Sequence, residues 1–295
     1  MALTAYLETQ RIAHRSYSNK NEPLVTQNDI LIEHRAALSN FIVNSYYLCT
    51  GMRLIIDQGN SATKLYVAHN DKIIESVTLE NESMLEYVRG RIADGSIDAA
   101  IYSSVRREYD SRLINVMSRK IDHIVCMGKT THLPIGIEYR TPDTLGHDRI
   151  AAAVGAWSEH PGRTLLVVDA GTAITYDLVS AEGKFMGGNI AAGIEMRLKA
   201  LHTFTGQLPH VSSDGDLPML GYDTHTAIRA GALQGAAYEL EGYITACEEK
   251  YPDLLVFLTG GDAERLATII KRAIFVDRNL VPKGLNRILE YNVKV

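Results

Sequence analysis

One pattern occurs twice in the chain. The stretch LIIDQGNSATKLYVAHNDKI (Leu54 to Ile73) aligns without a gap on LVVDAGTAITYDLVSAEGKF (Leu166 to Phe185). Asp57 falls on Asp169, Gly59 on Gly171, Thr63 on Thr175 and Lys72 on Lys184. Each copy reads as two β-rich runs joined at Asp-x-Gly, a β-hairpin signature. Such hairpins are common enough to match by chance. The shared sequence, however, extends through a second strand, which favours two halves built on one plan.

The flanking sequence follows the same order in each half. After the first hairpin, KIIESVTL predicts a third strand, MLEYVRGRIADG a helix stopping at Gly95, and AAIYSSV and HIVCMG two buried strands. In the second half TLLVVDAG, ITYDLVS and KFMGGNIA predict three strands, followed by helices. In TAIRAGALQGAAYELEGYITACEEKY, Ile228, Ala232, Leu233, Ala236, Leu240, Tyr243, Ile244 and Cys247 share one helical face. LLVFLTGGD reads as a buried strand ending in a glycine turn, with AERLATIIKRA as the helix after it. The expected fold is α/β, with two lobes related by duplication and a cleft between them.

With 295 residues, 46% hydrophobic and 22% charged, the chain has the composition of a two-domain globular protein. A formal charge of −5 gives no basic footprint for nucleic acid. No apolar run is long enough to span a membrane. Cys49, Cys126 and Cys247 show no CxxC spacing and read as thiols of a reducing compartment, the cytoplasm. Residues 1–51 lack sustained periodicity apart from an amphipathic helix expected over Asp29 to Leu48. They are expected to be an upstream extension outside the two-lobed fold, of the kind a misplaced start leaves, with lobes over 52–162 and 163–295.

The residues at the turns suggest phosphate chemistry. Glycine at Gly59 and Gly171 is expected to supply positive φ and to let backbone N–H groups approach phosphate. Asn60, Ser61 and Thr172 follow with side-chain donors. Asp57 and Asp169, at strand ends, would repel phosphates unless a cation lies between, and Mg²⁺ suits one or two carboxylates. Between the hairpins, EYRTPDTLGHDRIAAAVGAW gathers Tyr139, Gly146, Asp148 and Arg149 ahead of an alanine-rich helix. Taken alone, Asp148 reads equally as a helix N-cap, Arg149 as a surface cation and His147 as a solvated loop histidine. The glycines Gly260 and Gly261 of TGGD fit either a base-binding face or a plain tight turn.

Taken in order, DQGNSATK, YRTPDTLGHDR, DAGTAITYD, GGNIAAG and TGGD resemble type III pantothenate kinase, from Met52 to about Tyr291. That family belongs to the acetate and sugar kinase, Hsp70 and actin superfamily, so the resemblance implies two ribonuclease H-like (actin-like ATPase) lobes. It implies ATP-dependent phosphorylation of pantothenate, the first step of coenzyme A biosynthesis, in a homodimer. Asp148 would be the catalytic base, with Tyr139, Gly146, His147, Arg149 and Thr224 at the substrate, Thr224 from the partner subunit. Asp57, Gly59, Asn60, Ser61, Ala62, Thr63, Lys64, Gly171, Thr172, Gly260 and Gly261 would bind ATP. Asp57 would face Mg²⁺, and Asp169 a monovalent cation, K⁺ or NH₄⁺. Two positions depart from the family's usual segments: Ala192 stands in place of proline and Ser61 in place of threonine. The competing readings are another small-molecule kinase of the superfamily, or a non-catalytic regulatory binder resembling Bvg accessory factor.

Overall fold

The structure, a computed structural model, describes residues 51–60, 62–106 and 108–293. The helix expected over Asp29 to Leu48, Cys49 and the proposed phosphate donor Ser61 lie outside the described residues. The first half opens with an antiparallel meander, β1 (Met52–Gln58), β2 (Ala62–His69) and β3 (Lys72–Glu80). Helix α1 (Met84–Arg91), β4 (Ile97–Ser104), α2 (Ser111–Met117) and β5 (His123–Cys126) follow. A two-residue strand β6 (Gly136–Ile137) precedes helix α3 (His147–Glu159).

The second half repeats the plan. It runs β7 (Leu165–Ala170), β8 (Ala173–Val179), β9 (Lys184–Ala192), α4 (Ile194–Thr203), α5 (Thr224–Lys250), β10 (Leu255–Thr259), α6 (Ala263–Ile269) and β11 (Phe275–Val276). Helix α7 (Leu280–Val293) closes the described chain. The first sheet has the order β3-β2-β1-β4-β5, and the second β11-β10-β7-β8-β9-β6. Read from the other edge, the second is the first with β6 added beside β9. In both, strands one to three pair antiparallel and the remaining two join in parallel. The fold is two ribonuclease H-like lobes, the duplication that the repeated hairpin implied and the lobe type that the resemblance implied.

Each sheet is covered on both faces, which is why β1, β4, β7 and β10 read as nearly continuous apolar runs. On the outer face of the first sheet, Leu54, Ile56 and Tyr102 pack with Met84, Val88, Leu113 and Met117 of α1 and α2. On the outer face of the second, Leu166, Val168 and Leu258 pack against Leu198 of α4, Leu233 and Leu240 of α5, and Leu266 of α6. Between the sheets lie α3 and α7, with Ile55 and Ile101 on one side and Val167 and Phe257 on the other.

The alanine run of α3 makes this central layer thin. A Cβ on Gly284 would come within 1.7 Å of the Ala151 carbonyl oxygen, and one on Gly155 within 2.4 Å of that of Leu280. The two helices therefore cross backbone to backbone. α7 is fastened to the first lobe by a buried network, with Arg53 Nη1 donating to Glu290 Oε1 at 2.6 Å and to Asn286 Oδ1 at 3.1 Å. Asn286 passes its own amide hydrogen to the Asn70 carbonyl at 3.0 Å.

The helix expected after β10 ends earlier than its apolar pattern, because Ile270 turns extended. Cys126 and Cys247 are free thiols.

Candidate active site

Asp57 and Asp169 sit near the carboxyl ends of the central strands β1 and β7, where open α/β sheets place their ligands. Both carboxyls are pushed from an ordinary 3.8 to about 6. Burial is the main cause for each, and Asp148 raises both further while Lys64 pulls them down. Tyr66, on the face of β2 that carries Lys64, is pushed up to about 12 by burial and then by Asp57 and Asp169. Groups that couple in this way share one small space. Asp57, Asp169, Asp148 and Lys64 are thus near enough for their charges to act on one another.

The sequence overlay slips at one point. In the first hairpin Asp57 pairs with Lys64, whereas in the second Asp169 pairs with Thr175. The first turn is thus one residue longer, and a one-residue shift moves a side chain to the opposite face of its strand. Lys64, not Thr63, is the structural counterpart of Thr175. Thr63 instead turns into the outer core, fully buried, with its hydroxyl donated to Asn81 Oδ1 at 2.6 Å. The glycine expectation also needs correcting, since neither Gly59 nor Gly171 has a positive φ. The physical need at Gly59 is closeness: its N–H donates to the Ala62 carbonyl at 2.9 Å, and a Cβ would stand 3.1 Å from that oxygen.

Positive φ appears instead at Gly260, at +96°, where a Cβ would lie 2.4 Å from both the Ala170 carbonyl and Asp169 Oδ1. The TGGD turn therefore closes directly on the second acidic turn. Asp262 N–H bonds the Ala170 carbonyl at 2.9 Å, holding it there. Gly193 approaches from the other side, its N–H 3.1 Å from the Thr172 carbonyl. Arg197 Nε donates to the Ala192 carbonyl at 2.7 Å, bracing the residue that stands in place of proline.

The segment before α3 supplies the third wall. The N-cap of α3 is Gly146, not Asp148, and no side chain caps the helix. Asp148 lies in the first turn, and its Oδ1 accepts the N–H of Arg149 at 2.8 Å. Arg149 is no surface cation: it is 7% exposed, and its Nε lies 3.0 and 3.1 Å from the two carboxylate oxygens of Asp177. Its Nη2 bonds the same carboxylate, and the guanidinium stands 5.7 Å from the Tyr139 ring centre and 5.6 Å from that of Phe185. His147 is half-buried, and burial lowers its pKa, partly offset by Asp148 and a bond to the Ser104 backbone. It is not the solvated loop histidine that the sequence suggested.

Gly171 and Thr172 lie beside Asp169 at the second turn, and Asn60 is exposed at the first. Ala62 opens β2, and Gly261 has open space beside it. Thr224 starts α5 behind its N-cap Asp223 and is exposed, next to the exposed Met219, Leu220 and Tyr222. Three residues to which the sequence assigned no role help build the site: Asn81, Asp177 and Phe185. A polar residue mid-strand in β8 was the available signal for Asp177.

Among the described residues, no three His, Cys, Asp or Glu side chains are arranged to hold a metal ion alone. Two half-buried carboxylates with raised pKa and hard oxygen donors nonetheless fit a divalent cation that keeps its waters and takes other ligands from phosphates.

The family model described as type III pantothenate kinase matches residues 53–246. A type III pantothenate kinase from Bacteroides fragilis (strain YCH46) is 46% identical over 82% of this chain and 98% of that protein. One from Phocaeicola vulgatus is 44% identical over 83% and 100%. Among solved structures, a Campylobacter jejuni chain described as a Baf family transcriptional activator superposes with a TM-score of 0.57 at 23% identity, covering 82% of this chain and all of the other. That likeness speaks to the fold alone.

Proposed function

The chain belongs to the type III pantothenate kinase family and phosphorylates pantothenate with ATP, and we propose that the cleft between Asp57, Asp148 and Asp169 is where it does so. What supports this placement is that the charges of Asp148 and Lys64 both act on the carboxyls of Asp57 and Asp169, which lie near the ends of the central strands of the two sheets. ATP lies with its phosphates between the two turns. The N–H and side chain of Asn60 hold one flank, those of Thr172 the other, and the TGGD turn receives the base. The N–H groups of Gly59 and Gly171 are spent inside the turns, on the carbonyls of Ala62 and Ala173.

Asp57 would hold Mg²⁺ and Asp169 the monovalent cation, K⁺ or NH₄⁺. When bound, these cations neutralise charge on the phosphates. Asp148 orients the primary hydroxyl of pantothenate towards the γ-phosphate and accepts its proton as the new bond forms. Because phosphoryl transfer has a loose transition state, the proton leaves late, and a carboxylate is base enough. Tyr139, Gly146 and His147 line the approach to that hydroxyl. Arg149 offers Nη1, the nitrogen Asp177 does not engage, to the oxygen-rich part of pantothenate.

Thr224 and the exposed Met219, Leu220 and Tyr222 favour a homodimer in which Thr224 approaches the partner's substrate. No helix among the described residues is long and apolar enough to cross a membrane. The reading places the enzyme in the cytoplasm.

The test is ADP release with pantothenate and Mg²⁺, with and without K⁺. Release that requires pantothenate and rises with K⁺ supports the reading. ATP turnover indifferent to pantothenate overturns it.

A further inference from the structure

The turn after β1 is gripped from behind by one side chain. Asn81, directly after β3, donates Nδ2 to the Gly59 carbonyl at 3.3 Å and to the Asn60 carbonyl at 3.0 Å. Its Oδ1 accepts the Thr63 hydroxyl at 2.6 Å. Thr63 is fully buried, so this bond fixes which end of the amide faces the core and leaves the NH₂ for the two carbonyls.

The direction of this grip matters. Asn81 lies with Thr63 on the face of the hairpin opposite Asp57 and Lys64, as the strand register requires. A trans peptide points its N–H away from its C=O, and no cis bond is present among the described residues. Drawing the Gly59 carbonyl backwards therefore aims the Asn60 N–H at the cleft. The second lobe achieves the same effect with main chain, since Gly193, directly after β9, bonds the Thr172 carbonyl at 3.1 Å. In each repeat, the residue following the third strand pins a carbonyl of the acidic turn.

We infer that Asn81 is a positioning residue for ATP: it sets the first turn so that the Asn60 N–H meets the phosphate chain. Asn81 touches neither substrate nor reacting atoms, and the inference rests on the reading that this turn holds phosphate.

Asn81→Ala and Thr63→Val test it, with ATP affinity read by calorimetry beside both KM values, kcat and the melting temperature. Asn81→Ala removes both carbonyl bonds and should raise the Kd and KM for ATP about tenfold or more, with the pantothenate KM within about twofold. Thr63→Val frees the amide to rotate and should raise the ATP KM about threefold, a readout that remains if Asn81→Ala does not fold. Wild-type protein that fails to bind ATP removes the proposed function itself. Wild-type that binds ATP, with both variants matching it, overturns only the role of Asn81. A fall in melting temperature with unchanged KM for ATP makes the residue a structural brace and likewise overturns the inference.

Discussion

Asp177 holds Arg149 by both carboxylate oxygens, and this fixes the direction in which its neighbour Asp148 points. Consecutive helical residues diverge by about 100° around the axis. With Arg149 tied to β8, the rotation of α3 is set, and Asp148 is left facing the acidic turns that it couples to. Gly188 permits the arrangement, because a Cβ there would lie 2.2 Å from Asp177 Oδ1 and 2.9 Å from Arg149 Nη2.

Asp177→Asn keeps the shape but removes the countercharge of a buried guanidinium. Breaking a buried pair from one side costs on the order of 3–5 kcal/mol. We expect a lower melting temperature and a pantothenate KM raised about tenfold or more, with the ATP KM little changed. Steady-state kinetics in both substrates check this. Equal losses in both would mean general loosening instead.

Asp148→Asn preserves size and the bond to the Arg149 N–H but cannot accept a proton. Turnover should fall about a hundredfold or more, the usual worth of general-base help. Binding of ATP and pantothenate, followed by calorimetry, should remain near wild type. Near-normal turnover would leave Asp148 as no more than a favourable charge in the first helical turn.

The sheets were legible because Asp-x-Gly hairpins and buried apolar runs carry a period that a single chain displays. The overlay of Thr63 on Thr175 was not reliable, since one extra turn residue reverses strand faces without disturbing the sequence match. Asp148 and Arg149 were visible as a cluster. Their separation into a helix-start carboxylate and a buried ion pair depended on Asp177, which lies on β8. Asn81 gave no signal at all, because its role comes from the contact between the end of β3 and the β1–β2 turn. α7 was likewise unread: its pairing with α3 depends on Gly155 and Gly284, which look like helix-weakening residues in sequence.

The raised carboxyls at Asp57 and Asp169 make the nucleotide-free protein less stable as pH rises. Between 3.8 and about 6 the native state holds protons that the unfolded chain has released, so stability falls through that window. The penalty is absent below 3.8 and complete above about 6, on the order of 2–3 kcal/mol for each group. Asp57→Asn removes one such group. We expect it to melt higher than wild type at pH 7.5 in chelator, to show a shallower decline between pH 4 and 6, and to lack kinase activity. A lower melting point at pH 7.5 would show that Lys64 and Asp57 stabilise each other more than burial opposes them.

Gly260 joins the fold to the chemistry most directly. Its φ of +96° disfavours any L side chain, and the added Cβ would press on the Ala170 carbonyl and on Asp169 itself. Gly261, one residue on, has nothing within 4 Å of such a Cβ. Gly260→Ala should therefore cost about 1–3 kcal/mol of stability, lowering the melting temperature by several degrees. Gly261→Ala should leave the nucleotide-free melting temperature nearly unchanged. Because strain at Gly260 is relieved by moving Asp169, Ala170 or the TGGD turn, its alanine variant should also lose the activation by K⁺ that we propose for Asp169. Activity assayed across a K⁺ titration checks this. A variant that melts low yet keeps the wild-type K⁺ response would separate the turn from the cation site.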